Sequence, residues 1–218
     1  KSKIISHMKG VECLINEINI LRSTKHESIL QLHEVYESAS SVYIVLEYLE
    51  GGELSSRLHS KRFYKESQAS ILMKNILESV AYLHKNNFVH RDLKPENILM
   101  QSKTDDTSIK LADFGLALNL NKAAEGISRC GTPGYVAPEV LNPNPKTSLS
   151  TKMDIFSLGC IFYKILTGNR LFIGSTAKAI LAANKECNIK SSLSGMGLSS
   201  QARDLLEKML EPDPNKRI

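Results

Sequence analysis

Apolar residues recur along this chain with two different periods. Over 11–22, Leu14, Ile18 and Leu21 fall at helical spacing, which predicts one helix near the start. Two short stretches follow, 29–35 and 42–48. The second opens Val42-Tyr43-Ile44-Val45-Leu46, and its β-branched and aromatic residues read as a strand, as does the first stretch. Leu49-Glu50-Gly51-Gly52 comes next, and paired glycines behind a strand mark a change of direction.

Beyond that point the helical period dominates. Over 67–85, Ala69, Leu72, Met73, Ile76, Val80 and Leu83 make one apolar stripe. Residues 151–167 are apolar nearly all round, which predicts a buried central helix ended by Gly168. Ser199 is placed to cap a last helix with Ala202, Leu205, Leu206 and Met209 on its face, stopped by Pro212. Residues 98–100 and 109–112 read as short strands flanking a polar turn, 102–107. The expected class is α+β: a small mixed lobe, a glycine-marked hinge and a larger, mainly helical lobe. Clefts between lobes are common places for small ligands.

Composition narrows the partners. With 218 residues, 42% hydrophobic and 23% charged, the chain can bury one sizeable core or two small ones. The net charge of +5 is spread along the sequence, so neither nucleic acid nor a membrane surface is expected as a partner. Cys13, Cys130, Cys160 and Cys187 lie far apart with no zinc-ligand spacing, which suits reduced thiols in the cytoplasm or nucleus. No signal peptide opens the sequence. The most apolar run, 155–166, is too short to span a bilayer and is interrupted by Ser157, Gly159 and Lys164.

Candidate chemistry gathers at His90-Arg91-Asp92-Leu93-Lys94-Pro95-Glu96-Asn97, between a helix and a strand. Asp92 can accept or orient a hydroxyl proton, and Asn97, five positions on, offers an oxygen to a hard cation such as Mg²⁺. Lys94 lies between them, placed to offset charge on a phosphoryl group. Asp113-Phe114-Gly115 follows the second short strand. A carboxylate at the end of a buried strand needs a cation or donors, so Asp113 and Asn97 make a credible metal pair.

These two stretches resemble the catalytic loop and the Asp-Phe-Gly segment of eukaryotic protein kinases. The resemblance extends to Ala137-Pro138-Glu139 and covers essentially the whole chain. It implies a bilobal protein-kinase-like fold with the remainder of an N-lobe at 1–48, a hinge at 49–52 and a C-lobe at 53–218. It implies ATP and Mg²⁺ as cofactors. Asp92, Lys94 and Asn97 take the catalytic places, and Asn97 and Asp113 the metal places. Glu17 matches the helix-C glutamate that pairs with a strand-3 lysine. Leu46 looks like the gatekeeper, Glu47 and Leu49 like the adenine-bonding hinge, and Leu99 like the residue beneath the adenine. Leu21, Leu32, His90 and Phe114, anchored on Asp154, resemble the apolar stack linking the lobes. Glu139 and Arg217 match a buried structural ion pair.

Lys94 and the string Gly131-Thr132-Pro133-Gly134-Tyr135 follow the serine/threonine pattern. Together with Gly51-Gly52-Glu53, the stretch 130–140 is most similar to the calcium/calmodulin-dependent and calcium-dependent kinases. Calmodulin or EF-hand control would act only through regions outside these residues. Glu53, beside the hinge and counted with the nucleotide site, and Glu96 resemble acids that read a basic residue upstream of the phosphoacceptor. Lys164 stands where some such kinases have a further acid, which narrows that preference. Thr132 matches a residue contacting the catalytic loop near the substrate. Ser128 matches the usual activation-segment phosphosite, whose phosphate would pair with Arg91.

The chain departs from the pattern at its start, where no glycine-rich loop precedes the first helix, and it stops short of the family's last helix. It therefore reads as a fragment. Lys1, sixteen residues before Glu17, is the candidate strand-3 lysine, with Lys3 as a rival and an ordinary surface lysine as the alternative for either. Phe156 stands where many kinases carry tryptophan. The competing function is a pseudokinase or scaffold with the same fold, and upstream sequence would discriminate the two.

Overall fold

The computed structural model describes residues 8–122, 130–142, 149–194 and 197–218. The first element is helix α1 (Met8–Ser23), which buries Ile18, Ile20 and Leu21. Strands β1 (Leu32–Glu37) and β2 (Val42–Leu46) then pair antiparallel, with Leu32 opposite Leu46 and Glu37 opposite Val42. Helices α2 (Leu54–Lys61) and α3 (Glu66–Lys85) come next. Six short pieces follow: β3 (Phe88–Val89), β4 (Ile98–Met100), β5 (Ile109–Leu111), β6 (Leu118–Asn119), α4 (Pro138–Leu141) and, later, α7 (Lys190–Leu193). The longer helices α5 (Lys152–Thr167), α6 (Ala177–Glu186) and α8 (Ser200–Met209) complete the C-terminal part. A small sheet region followed by a helical mass is the expected fold class. Among the described residues, no helix is long and apolar enough to cross a membrane.

Three expected helices are present with their chemistry. The stripe of α3 is buried from Ala69 to Leu83. Helix α5 is buried on nearly every side, and Gly168 ends it at φ 74, a left-handed conformation that glycine adopts at no steric cost. Ser199 Oγ accepts from Ala202 N at 3.1 Å and caps α8. Phe156, in place of tryptophan, is fully buried, stacks on Phe172 at 6.1 Å and lies under the Arg217 guanidinium at 5.0 Å.

The boundaries of three strands differ from expectation. The first strand begins at Leu32 rather than residue 29, because Ile29 and Leu30 are spent elsewhere. Leu30 N donates to Leu111 O (2.9 Å) and Leu111 N to Ser28 O (2.8 Å), so this stretch is stitched to β5. The second strand ends at Leu46; Tyr48 is 86% exposed. Strand β5 stops at Leu111, one residue early, where Ala112 N turns to Asn97 O (2.9 Å).

The glycine pair after β2 is where the chain comes against β4. A Cβ on Gly51 would lie 2.5 Å from Met100 Cβ and from the carbonyl oxygens of Met100 and Ser102, which no side chain tolerates. Met100 N donates to Gly52 O (2.8 Å), and Glu53 bridges Leu99. Close approach at Gly51 thus sets Glu53 beside β4.

Candidate active site

The loop after β3 is built around a buried carboxylate. Asp154, in the first turn of α5, has no exposed surface. Its Oδ2 accepts from His90 N (2.8 Å) and meets His84 Nε2 (2.8 Å), while Oδ1 accepts from Arg91 N (2.9 Å). Burial, the largest single influence, would raise its pKa, but the His84 hydrogen bond, the charge interactions with His84 and His90 and the His90 amide together outweigh it and hold the carboxyl below its ordinary value. The sign for stability follows. A depressed folded pKa means the stabilisation is complete above the unfolded carboxyl value and is lost as pH falls through the folded one. Acid titration of Asp154→Asn should therefore show a smaller loss of stability than wild type across that window.

Arg91 takes φ 66, a conformation rare for a side-chain-bearing residue, with both its own amide and that of His90 fixed by Asp154. The His90 ring is placed by its neighbours. Asp92 N donates to Nδ1 (3.4 Å), which leaves Nε2 to carry the proton toward Ala112 O (3.2 Å). The same ring lies 5.1 Å from Phe114. Leu21 is buried and Leu32 packs on the same core.

With the loop set, its polar side chains converge. Lys94 Nζ donates to Asp92 Oδ2 (2.6 Å) and Thr132 Oγ1 (3.0 Å), and Thr132 Oγ1 donates to Asp92 Oδ1 (2.6 Å). Asn97 Nδ2 donates to Asp92 O (2.9 Å) and, more weakly, to Oδ2 (3.4 Å). Asp92, Lys94, Asn97 and Thr132 therefore form one network, although Thr132 is far away in sequence. The Asn97 amide nitrogen is committed inward, which leaves its carbonyl oxygen as the atom able to meet a cation.

Asp113 lies just past β5 at φ 61. It is exposed, which corrects the expectation of a carboxylate buried at a strand end: Ala112 turns away to Asn97, and the side chain meets solvent without a desolvation cost. Oxygen donors from Asn97 and Asp113 suit Mg²⁺, which takes one or two protein oxygens and completes its shell from phosphates and water. Among the described residues no group of three His, Cys, Asp or Glu side chains could hold a metal.

The remaining candidates are placed as follows. Glu17 is half-buried on α1, and Leu46 ends β2 against the core. Glu47 is held by Lys110 Nζ (2.9 Å) and by Gln31 N (2.6 Å), and Leu49 is half-buried just beyond it. Leu99 is half-buried in β4, and Glu53 accepts from Ser55 Oγ (2.8 Å). Among the described residues, Glu96 Oε2 and the Tyr135 hydroxyl are buried without a hydrogen-bond partner. Lys1, Lys3 and Ser128 lie outside the described residues. Arg91, expected to await a phosphate, has its Nε donating to Leu116 O (2.6 Å).

One residue escaped the sequence reading. Asn16 Nδ2 donates to Phe114 O (3.2 Å), Gly115 O (3.3 Å) and Ala117 O (2.7 Å), fastening α1 to the Asp-Phe-Gly segment. Its signal was an amide at a half-buried helical position next to Glu17, which a hydrophobic count passes over.

Residues 1–218 match the protein kinase domain family throughout. This chain belongs to it. The kinase domain is similar to myosin light chain kinase A of Dictyostelium discoideum, 38% identical over 203 residues (93% of this chain, 68% of that protein). It is similar also to serine/threonine-protein kinase cds1 of Schizosaccharomyces pombe, 39% identical over 226 residues (100% and 48%). A Plasmodium falciparum protein whose name is likewise that of a serine/threonine-protein kinase is 46% identical over 173 residues (79% and 33%). The kinase domain thus spans between a third and about two thirds of the relatives it matches. These relatives place it among serine/threonine kinases and are consistent with the calcium/calmodulin-dependent-like group.

Proposed function

We propose that the protein carrying this domain transfers the γ-phosphoryl group of ATP to serine or threonine hydroxyls of protein substrates. The observation that carries this reading is the Asp92 carboxylate, bonded on one oxygen by Lys94 and on the other by Thr132. Asp92 orients the incoming hydroxyl and takes its proton, and Lys94 offsets charge growing on the transferred group. Thr132 ties the substrate-side segment to the same carboxylate. Bound Mg²⁺ supplies charge neutralisation on the phosphates, and Asn97 and Asp113 are the residues that would hold it. Residues 49–52 act as the hinge between 1–48 and 53–218, where Leu46, Glu47, Leu49, Glu53 and Leu99 line the adenine side. Lys1, with Lys3 as its rival, is the proposed partner of Glu17.

Glu53 and Glu96 read a basic residue upstream of the phosphoacceptor, because carboxylates along one groove favour a guanidinium. Phosphate on Ser128 pairs with Arg91 and orders the activation segment. The working compartment is the cytoplasm or nucleus.

The test is label transfer. Full-length protein given labelled ATP, Mg²⁺ and a mixture of serine, threonine and tyrosine peptides should label serine and threonine, and chelation of the metal should stop it. Nucleotide binding with no transfer to any peptide would favour the scaffold reading.

A further inference from the structure

The segment behind Asp113 is held by side chains from two distant parts of the chain. Four successive backbone carbonyls each have a side-chain donor. Asn16 Nδ2 serves Phe114 O (3.2 Å), Gly115 O (3.3 Å) and Ala117 O (2.7 Å), and Arg91 Nε serves Leu116 O (2.6 Å). One amide group carries two N–H donors, so at least one of them is shared between carbonyls. Asn16 comes from α1, 98 residues before Phe114 in the sequence.

The same face of α1 meets the segment a second time. A Cβ on Gly115 would lie 3.6 Å from Cys13 Cβ and 3.5 Å from Asp113 Oδ1. Cys13 and Asn16 are one helical turn apart, so they share that face. The Asp113 carboxylate, Gly115 and α1 therefore come together at one point. Asp113 is exposed and takes φ 61, a conformation that a side-chain-bearing residue keeps only where its surroundings impose it. Packing on an exposed side chain does little to impose it; the bonds on the carbonyls behind it do.

We infer that Asn16 is a positioning residue for phosphotransfer, which acts through the backbone of 114–117 to hold the Asp113 carboxylate where it engages the cation. This role rests on the serine/threonine kinase reading and on Asp113 as a metal residue. What Asn16 contributes is donation and not bulk, since a carbonyl can only accept. A residue without a donor at this place leaves Phe114, Gly115 and Ala117 without that partner, and the segment gains freedom to turn Asp113 away. The loss falls on engagement of metal and nucleotide. Asp92, Lys94 and Thr132, on the peptide side, keep their own network.

The experiment compares full-length wild type, Asn16→Ala and Asn16→Leu. Alanine and leucine are both better helix formers than asparagine, so neither weakens α1, and leucine returns most of the lost volume without a donor. Melting temperatures establish folding, and Asn16→Ala carries the test alone should leucine not be accommodated. Phosphotransfer is followed against Mg²⁺ at fixed ATP, against Mg-ATP and against peptide. Both variants should need about three- to tenfold more Mg²⁺ for half-maximal rate, the scale of one lost hydrogen bond. KM for Mg-ATP should rise alongside, with KM for peptide unchanged. Wild-type dependence on Mg²⁺ and Mg-ATP in Asn16→Leu overturns the inference, because bulk alone then suffices. So does a fall in kcat with both dependences unchanged, the mark of a merely structural role. Either result leaves the kinase reading standing. A wild type that transfers phosphate to no peptide overturns both.

Discussion

Asp92→Asn in the full-length protein should lower the phosphotransfer rate by about 10²–10⁴-fold while nucleotide affinity stays nearly unchanged. The substitution is close to isosteric. Lys94 can still donate to the amide oxygen, and the Thr132 hydroxyl can accept from the new amide nitrogen, so the network that surrounds the loop has no reason to collapse. What disappears is the carboxylate that, on the proposed reading, takes the hydroxyl proton. Phosphotransfer rate, nucleotide titration and melting temperature, measured together, separate chemistry from folding. Asp113→Asn should differ in kind, weakening Mg-ATP engagement, because it removes charge from an exposed carboxylate that would hold the cation on the proposed reading. Retained transfer in Asp92→Asn would sink the mechanism.

The largest stability effect is expected at Arg217. Its Nη1 donates to Glu139 Oε1 (2.7 Å) and Lys152 O (2.7 Å), its Nη2 to Glu139 Oε2 (2.9 Å) and Pro212 O (3.2 Å), and its Nε to Glu211 O (2.8 Å). All five guanidinium donors have acceptors in a site where Arg217 is 2% and Glu139 7% exposed. Arg217→Met leaves the Glu139 carboxylate buried and unpaired, which costs about 3–5 kcal/mol. Arg217→Lys keeps the charge but loses the two-pronged geometry, so it should recover part of that loss and no more. Denaturant unfolding of the three proteins tests this. Equal stability of Arg217→Met and wild type would mean the pair is not what joins α4 to the end of the chain.

The long helices were legible because each carries an apolar period that burial alone can satisfy. Helix α2 was not. Its sequence Leu-Ser-Ser-Arg-Leu-His-Ser-Lys buries Leu54 and Leu58, a single contact per turn that no periodicity count would separate from loop. Helix α6 hides its purpose in a polar residue: Asn184 Oδ1 accepts from Gly134 N (2.7 Å), and its Nδ2 donates to Val136 O (3.0 Å). Such a buried amide holds the segment around Tyr135 but adds nothing to a hydrophobic pattern. In the site, Asp92, Lys94 and Asn97 stood out because they lie within a few positions of one another. The convergence of Thr132 could be expected only by family likeness. The exposure of Asp113 and the three bonds of Asn16 are matters of chain direction, set by where Ala112 turns and where α1 lands.

The stitch between Ser28, Leu30 and Leu111 divides the small sheet into two parts that open differently. Hydrogen exchange at an amide reports the least costly opening that frees it. Leu30 N–H is bonded across to Leu111, which is fully buried in β5, so its proton leaves only when the helical mass itself comes apart. Tyr43 and Val45 sit on the exposed stretch of β2, and their amides can fray in and out with the hairpin while everything beneath stays folded. The boundary between slow and fast protons therefore runs through the start of β1 rather than at Gly51-Gly52, and residues 28–30 belong dynamically with the helical part.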